Sequence, residues 1–112
     1  MASRTSSPLL HPDEQSMNLF TVMTALSDPV RLNIVTTLSA QSEVACNCFD
    51  LPVGKSTASR HFRVLREAGL IHQRDVGTRR INSLRRLEIN RRFPGLLDLV
   101  LREAATNASA DR

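Results

Sequence analysis

One stretch, residues 56–81, constrains the fold of this chain more than any other; it reads S-T-A-S-R-H-F-R-V-L-R-E-A-G-L-I-H-Q-R-D-V-G-T-R-R-I. Its first half predicts an amphipathic helix that Ser56 caps and Gly69 ends, because glycine readily adopts the left-handed conformation of a helix stop. Its second half belongs to two short predicted strands over residues 70–84, with Gly77 in the turn. The stretch therefore predicts a helix followed directly by a hairpin.

The predicted helix has two chemically different faces. One face carries the apolar residues Ala58, Phe62, Leu65 and Ala68. The opposite face carries hydroxyl and charged residues, namely Ser56, Ser59, Arg60, Arg63 and Glu67. An exposed face of hydroxyls and arginines suits the major groove of DNA, which is wide enough to admit a helix. We expect His61, at the edge of the apolar face, to be a hydrogen-bonded structural residue rather than a base reader or metal ligand.

Positive charge is concentrated around this stretch. Residues 53–92 contain eleven of the fifteen Lys and Arg residues but only three of the eleven Asp and Glu residues. Such a basic region on an acidic body indicates a polyanion binder, although a solvated basic face is the alternative. Arg74, Arg79 and Arg80 cluster at the predicted turn, where they fit phosphate or minor-groove contact or, alternatively, a solubilising sheet edge. The absence of Trp and Tyr argues against a base-stacking surface for RNA or single strands.

The flanking segments complete a predicted fold. Apolar spacing predicts a helix over residues 16–26, and Ser27 or Asp28 followed by Pro29 predicts the start of a second helix. Residues 44–54 are limited to one or two helical turns by Pro52 and Gly54. A broadly apolar last helix follows Pro94. The order α-α-α-α-β-β-α, mainly α with a small β-hairpin, is typical of a winged helix-turn-helix.

The length of 112 residues indicates a single domain. We assign it to residues 16–105, between a flexible N-terminal arm (1–15), in which His11 is a bystander, and a flexible tail (106–112). There is no apolar run near 18 residues and no signal-peptide pattern, so we expect a cytoplasmic protein without a membrane partner. A domain this small, with apolar terminal helices, would gain stability from a second subunit.

Three motifs carry a family resemblance: A-L-S-D-P-V-R-L-N-I-V at 25–35, S-T-A-S-R-H-F-R-V-L-R-E-A-G-L-I at 56–71 and G-T-R-R at 77–80. The chain resembles the ArsR-type family of winged-helix transcriptional repressors over about residues 17–105. The resemblance implies a homodimer that binds a palindromic operator in double-stranded DNA and leaves it when an inducer binds. It places Ser56, Thr57, Ser59, Arg60 and Arg63 in the groove, and Arg79 and Arg80 in the wing.

Two sets of candidate site residues follow from these observations. The candidate DNA contacts are Lys55, Ser56, Thr57, Ser59, Arg60, Arg63, Arg74, Arg79 and Arg80. The resemblance places the dimer interface in residues 16–26 and 95–105, with Leu19, Val22, Met23, Leu97, Val100 and Leu101 as candidates.

Cys46 and Cys48 form a C-x-C pair that resembles the thiolate pair of arsenic-sensing relatives. Two soft thiolates suit a thiophilic metal or metalloid. However, the chain has no third cysteine, whereas arsenite takes three ligands and zinc four. Three interpretations stay open: packing as small buried residues, sensing of an electrophile or oxidant, and metal or metalloid binding. A cofactor is accordingly either absent or a thiophilic ion at this pair.

These patterns favour a DNA-binding transcriptional regulator over an enzyme. The sequence offers no nucleophile–base pair in a plausible pocket and no phosphate-cradling glycine loop. The alternative function is a winged-helix module that binds protein or RNA without operator specificity, because the fold alone does not fix function.

Overall fold

The computed structural model describes residues 9–110, with side chains up to residue 107. The described residues form five helices and three strands, in the order α1 (Leu19–Leu26), α2 (Pro29–Ala40), β1 (Val44–Ala45), α3 (Lys55–Ala68), β2 (Ile71–Val76), β3 (Arg79–Leu84), α4 (Arg86–Arg92) and α5 (Leu96–Ala110). Short 3-10 turns lie at Glu14–Ser16 and Cys46–Cys48. The strands form an antiparallel sheet in the order β1–β3–β2. The predicted winged helix-turn-helix is confirmed, with the β2–β3 hairpin as its wing.

Side-chain caps fix where the first two helices begin. The Asn18 Oδ1 accepts from the backbone N–H groups of Phe20 and Thr21 at 2.9 and 3.1 Å, so α1 begins at Leu19 rather than at the predicted residue 16. The Asp28 Oδ1 accepts from the N–H groups of Val30 and Arg31 in the same way, and Pro29 occupies the first turn of α2 as predicted.

Two parts of the element order differ from the prediction. Residues 44–54 contain a short strand and a 3-10 turn instead of a short helix, because Val44 and Ala45 pair with Asn82 and Ile81 of β3. The helix α4 was not predicted, because its sequence R-L-E-I-N-R-R is mostly charged and offers only one fully buried side chain, Ile89. The observed order is therefore α-α-β-α-β-β-α-α.

The hydrophobic core contacts only one face of α3. The largest fully buried apolar side chains of the core are Val22, Ile34, Val35, Leu65, Leu70, Ile71, Ile89 and Leu97. The inward positions predicted on α3 are confirmed: Phe62, Leu65 and Ala68 are buried, and Ala58 packs against the cluster. Within the described residues, no helix combines the length and apolar character that a membrane crossing requires.

The structure describes residues 9–15 of the predicted arm and residues 106–110 of the predicted tail. Residues 1–8 and 111–112 lie outside the described residues, so the domain bounds stay predictions. From residue 9 onward the predicted arm makes specific contacts: the His11 Nε2 accepts from the Gln73 N–H at 2.9 Å and its ring stacks on His72. The expectation that His11 is a bystander is therefore wrong. At the other end, α5 continues past residue 105 to Ala110.

Gly69 ends α3 in the left-handed conformation, with φ of 92°, as predicted. A Cβ there would lie 2.8 Å from the Met17 Cγ, in the core. We expect Gly69→Ala to lower the free energy of unfolding by about 2–4 kcal/mol, from the left-handed strain of a Cβ-bearing residue plus the overpacking.

Gly95→Ala provides the matched control, because Gly95 also has a positive φ of 86° but a Cβ there would meet nothing within 4 Å. We expect it to lose only the strain part, about 1–2 kcal/mol. Urea denaturation at one fixed protein concentration measures both losses. Equal losses in the two variants would contradict a steric role for Met17.

Candidate nucleic-acid interface

The helix α3 presents a polar surface opposite its buried face. The exposed residues on this surface are Lys55, Ser56, Thr57, Ser59, Arg60 and Arg63. The helix begins at Lys55, so its N-cap is Gly54, two residues before the predicted cap Ser56. Ser56 therefore lies within the first helical turn, at the end where the free backbone N–H groups carry the positive end of the helix dipole. The structure thus brings these six candidate residues together on one helix.

Arg31 fixes the angle between α3 and the helices before it. Its Nε donates to the Ala25 carbonyl at 2.7 Å and its Nη2 donates to the Thr24 carbonyl at 3.3 Å, at the end of α1. Its Nη1 lies 3.1 Å from the His61 Nδ1 on α3. His61 is therefore hydrogen-bonded, as expected. Arg31 lies in the D-P-V-R-L motif, and its bracing role was missed by sequence reasoning because its partners are backbone carbonyls.

The wing carries three arginines, of which Arg80 lines a cavity with α3, and two of the three form ion pairs with a carboxylate. Arg80 makes a two-point contact with Asp75, its Nε and Nη2 lying 2.8 and 3.2 Å from the carboxylate oxygens. Arg74 pairs with Glu43 at 2.8 Å. Arg79 contacts the Cys48 Sγ through its Nη2, at 3.7 Å. All three are exposed, so these surface pairs are weak and exchangeable.

The two cysteines have different surroundings. Cys46 is half-buried, and its Sγ accepts from the Asn82 Nδ2 at 3.2 Å and from the Gln73 Nε2 at 3.7 Å. Burial raises the pKa of the Cys46 thiol, so it stays protonated at neutral pH. Cys48 is exposed. Across residues 9–107, no three His, Cys, Asp or Glu side chains are grouped to hold a metal ion. The half-buried Cys46 thiol, hydrogen-bonded to two side-chain amides, supports the packing interpretation, and the metal and redox interpretations of the pair stay predictions.

A buried polar network connects Cys46 to α3, and sequence reasoning missed it. Asn82, fully buried, donates to the Val44 carbonyl at 3.0 Å and accepts from the Gln73 Nε2 at 2.8 Å. Gln73, 2% exposed, accepts in turn from the Arg66 Nη1 at 2.7 Å. Polar residues at inward positions of alternating strands were the only signal for this network. It locks the wing to α3, because buried polar groups are costly when unsatisfied.

The predicted dimer residues divide into two groups. Val22 and Leu97 are fully buried in the core of one subunit, so their assignment to a subunit interface is wrong. Leu19, Val100 and Leu101 are half-buried, and Met23 is 45% exposed. Large apolar side chains also stand exposed beside them, with Phe20 on α1 at 72% and Leu99 on α5 at 47%. These two helices therefore keep apolar surface that one subunit does not cover.

Comparison with known proteins identifies relatives of this fold. A family profile described as "Bacterial regulatory protein, arsR family" matches residues 28–73. The HTH-type transcriptional regulator YceK of Bacillus subtilis (strain 168) is 38% identical over 80 residues, which cover 69% of this chain and 80% of that protein. The transcriptional repressor BigR from Xylella fastidiosa superposes with a TM-score of 0.54 at 26% identity, over 67% of this chain and 85% of that one. An ArsR-like transcriptional regulator from Rhodococcus sp. RHA1 shares the fold, with a TM-score of 0.59 at 24% identity over 82% and 88% of the chains.

Proposed function

Because this chain belongs to the ArsR family of bacterial regulatory proteins, whose members are transcriptional regulators and not enzymes, we propose that it is a homodimeric repressor. It binds a palindromic operator in double-stranded DNA and leaves the operator when an inducer binds. The repressor role of the Xylella relative supports repression over activation.

The observation that carries this proposal is the two-faced character of α3. Its apolar face is anchored in the core, and its exposed face offers hydroxyls and guanidinium groups on the side opposite the core. Arg60 and Arg63 are one turn apart, and arginine pairs with the O6 and N7 acceptors of guanine in the major groove. Ser56, Thr57 and Ser59 supply shorter donors near the helix N-terminus, the end that enters the groove in helix-turn-helix proteins.

Phosphate contacts position such a helix without reading sequence. Lys55 lies in the first turn of α3, where its ammonium adds to the positive end of the helix dipole. The wing adds further positive charge through three exposed residues, Arg74, Arg79 and Arg80. The ion pairs of Arg74 and Arg80 are exposed and exchangeable. We assign these four side chains to the DNA backbone.

A second subunit covers the apolar surface of α1 and α5 in this proposal. Phe20, Met23 and Leu99 are exposed in one subunit, and Val100 and Leu101 are half-buried beside the core. Two-fold pairing buries the same residues twice and sets two copies of α3 about 34 Å apart, in successive major grooves. A palindromic operator is the DNA counterpart of this symmetry.

Competition binding tests the proposal directly. Purified protein is used to select duplexes from a random-sequence pool, and the selected duplex is then competed with random duplex and with structured RNA at 0.15 M salt. We expect the selected duplex to bind at least about 1,000-fold more tightly than random duplex. Equal affinity for all duplexes, with tighter binding of structured RNA, would instead favour an RNA-interaction module.

A further inference from the structure

A cavity of about 380 Å³ lies between the recognition helix and the wing sheet. This volume falls within the usual range of small-ligand sites. Four of the nine residues that line it are arginines from α3 and the sheet, namely Arg60, Arg63, Arg66 and Arg80, and the other five are Cys46, Ser56, Ser59, Phe62 and Gln73. No carboxylate is among its lining residues, so its chemistry is that of an anion site.

The arginines of the cavity are only partly neutralised by their neighbours. Arg80 is paired with Asp75, whereas Arg66 has no carboxylate bonded to it among the described residues. Burial lowers the pKa of the Arg66 guanidinium, the charges of Arg80 and Arg63 lower it further, and the carboxylates of Glu67 and Asp75 oppose these effects. An anion among the arginines would relieve their mutual repulsion.

Arg66 also has an unused donor. Its Nη1 donates to the Gln73 side chain at 2.7 Å. Its Nε is fully buried and, among the described residues, meets no hydrogen-bond acceptor. Buried N–H groups are rarely left in this state. Because this Nε is closed off from solvent, an anion in the cavity reaches it only when the Arg66 side chain shifts, after which the guanidinium donates through two parallel bonds.

We propose that this cavity, lined by Arg60, Arg63, Arg66 and Arg80, binds a phosphate-class oxyanion, either free or as the phosphate group of a small molecule. Phe62 and Gln73 in its lining are buried, at 4% and 2% exposed, whereas Arg60, Arg63 and Arg80 are exposed. The cavity is therefore open to solvent, and both a small anion and a phosphate of the DNA backbone can reach it. Guanidinium forks match the geometry of phosphate oxygens.

The site has a regulatory consequence, which rests on the proposed function. Arg60 and Arg63 belong both to the cavity and to the exposed face assigned to the major groove. An anion that engages them withdraws two guanidinium groups from DNA. Bound phosphate and operator therefore exclude one another, so the anion acts as an inducer, and the coupling is reciprocal.

The binding experiment uses the full chain and inorganic phosphate. Isothermal titration calorimetry follows phosphate at constant ionic strength, with chloride as the replacement ion, so that general screening is unchanged. We expect saturable binding that weakens at least tenfold in Arg66→Gln, which loses the charged donors. Arg102→Gln, which removes an exposed arginine of α5 outside the cavity lining, should bind phosphate like the wild type.

A second variant, Arg66→Lys, distinguishes a lost anion contact from a lost fold in Arg66→Gln. It keeps the positive charge but not the Nε donor, and we expect affinity between those of the wild type and Arg66→Gln. Thermal melting in chloride checks that each variant folds. Non-saturable heats, or equal weakening in Arg66→Gln and Arg102→Gln, would overturn the site.

The operator experiment separates a free anion from the DNA backbone. At a phosphate concentration ten times its dissociation constant, strict competition lowers the fraction of empty sites about tenfold in each subunit, so we expect the operator affinity of the wild-type dimer to fall about 100-fold. With its own operator affinity in chloride as the reference, Arg66→Gln should lose the response to phosphate. A loss of operator affinity in Arg66→Gln together with no binding of inorganic phosphate would assign the cavity to the DNA backbone and overturn the inference. The phosphate titration stands without DNA, so a failure of operator binding leaves it interpretable.

Discussion

Replacing Arg60 and Arg63 together by alanine should lower affinity for the selected operator at least about 100-fold and bring it close to the affinity for random duplex. Each arginine lies on the exposed face of α3 and can read a guanine through two hydrogen bonds, an interaction that changes affinity roughly 10- to 100-fold. Neither side chain contributes to the buried apolar cluster. Fluorescence anisotropy on both duplexes at fixed salt measures the change.

Arg102→Ala is the control for the loss of positive charge. It lies on α5, away from the face assigned to DNA, and we expect a change in operator affinity of less than about threefold, the size of a screened surface effect. If the double variant kept wild-type preference for operator over random duplex, α3 would not be the reading element.

Replacing Phe20 by aspartate should convert the dimer to single subunits and lower operator affinity at least about 100-fold. Phe20 is 72% exposed in one subunit, so the substitution leaves the core intact. In a two-fold dimer it removes two buried phenyl rings and places two carboxylates in an apolar contact. Sedimentation equilibrium gives the subunit number, and anisotropy gives the operator affinity.

Leu87→Asp matches this substitution at a site outside the proposed interface. Leu87 lies on α4 and is 68% exposed, so it introduces the same charge at a similarly exposed leucine. We expect it to remain dimeric and to keep operator affinity within about threefold. Dissociation of the Leu87→Asp protein in place of the Phe20→Asp protein would move the interface from α1 and α5 to α4.

Local chemistry explains which elements could be predicted from the sequence. The start of α2 follows from Asp28 and Pro29, and the end of α3 follows from Gly69, because each residue acts on its own turn. The two faces of α3 follow from its helical spacing alone. The motifs at 25–35 and 56–71 also predicted the family, because the first contains Arg31, which connects α1 to α3, and the second is α3 itself.

The pairing register of strands that lie far apart in the sequence explains what could not be predicted. Asn82 meets Val44 and Cys46 only because β1 pairs with β3 in one register, and no local signal in residues 44–54 specifies that pairing. The same limit applies to the interface candidates. Val22 and Leu97 lie on apolar stripes that helical spacing assigns to either the core or a partner, and only the packed subunit shows that both are in the core.

The cavity between α3 and the wing was likewise beyond sequence reasoning. Its arginines are spread from residue 60 to residue 80, and a basic segment of this kind reads equally well as a solvated face. The buried Gln73 and the Arg66 Nε, which meets no acceptor among the residues that the structure describes, both depend on how the hairpin folds back onto the helix.

Guanine methylation protection on the selected operator tests the central claim, that two copies of α3 enter successive major grooves. Methylation occurs at N7, which lies in the major groove and is covered by a bound recognition helix. We predict two protected patches with centres about 10 base pairs apart, both lost in the Arg60→Ala, Arg63→Ala protein. A single patch, or a bound operator with no protected N7 at all, would contradict the claim.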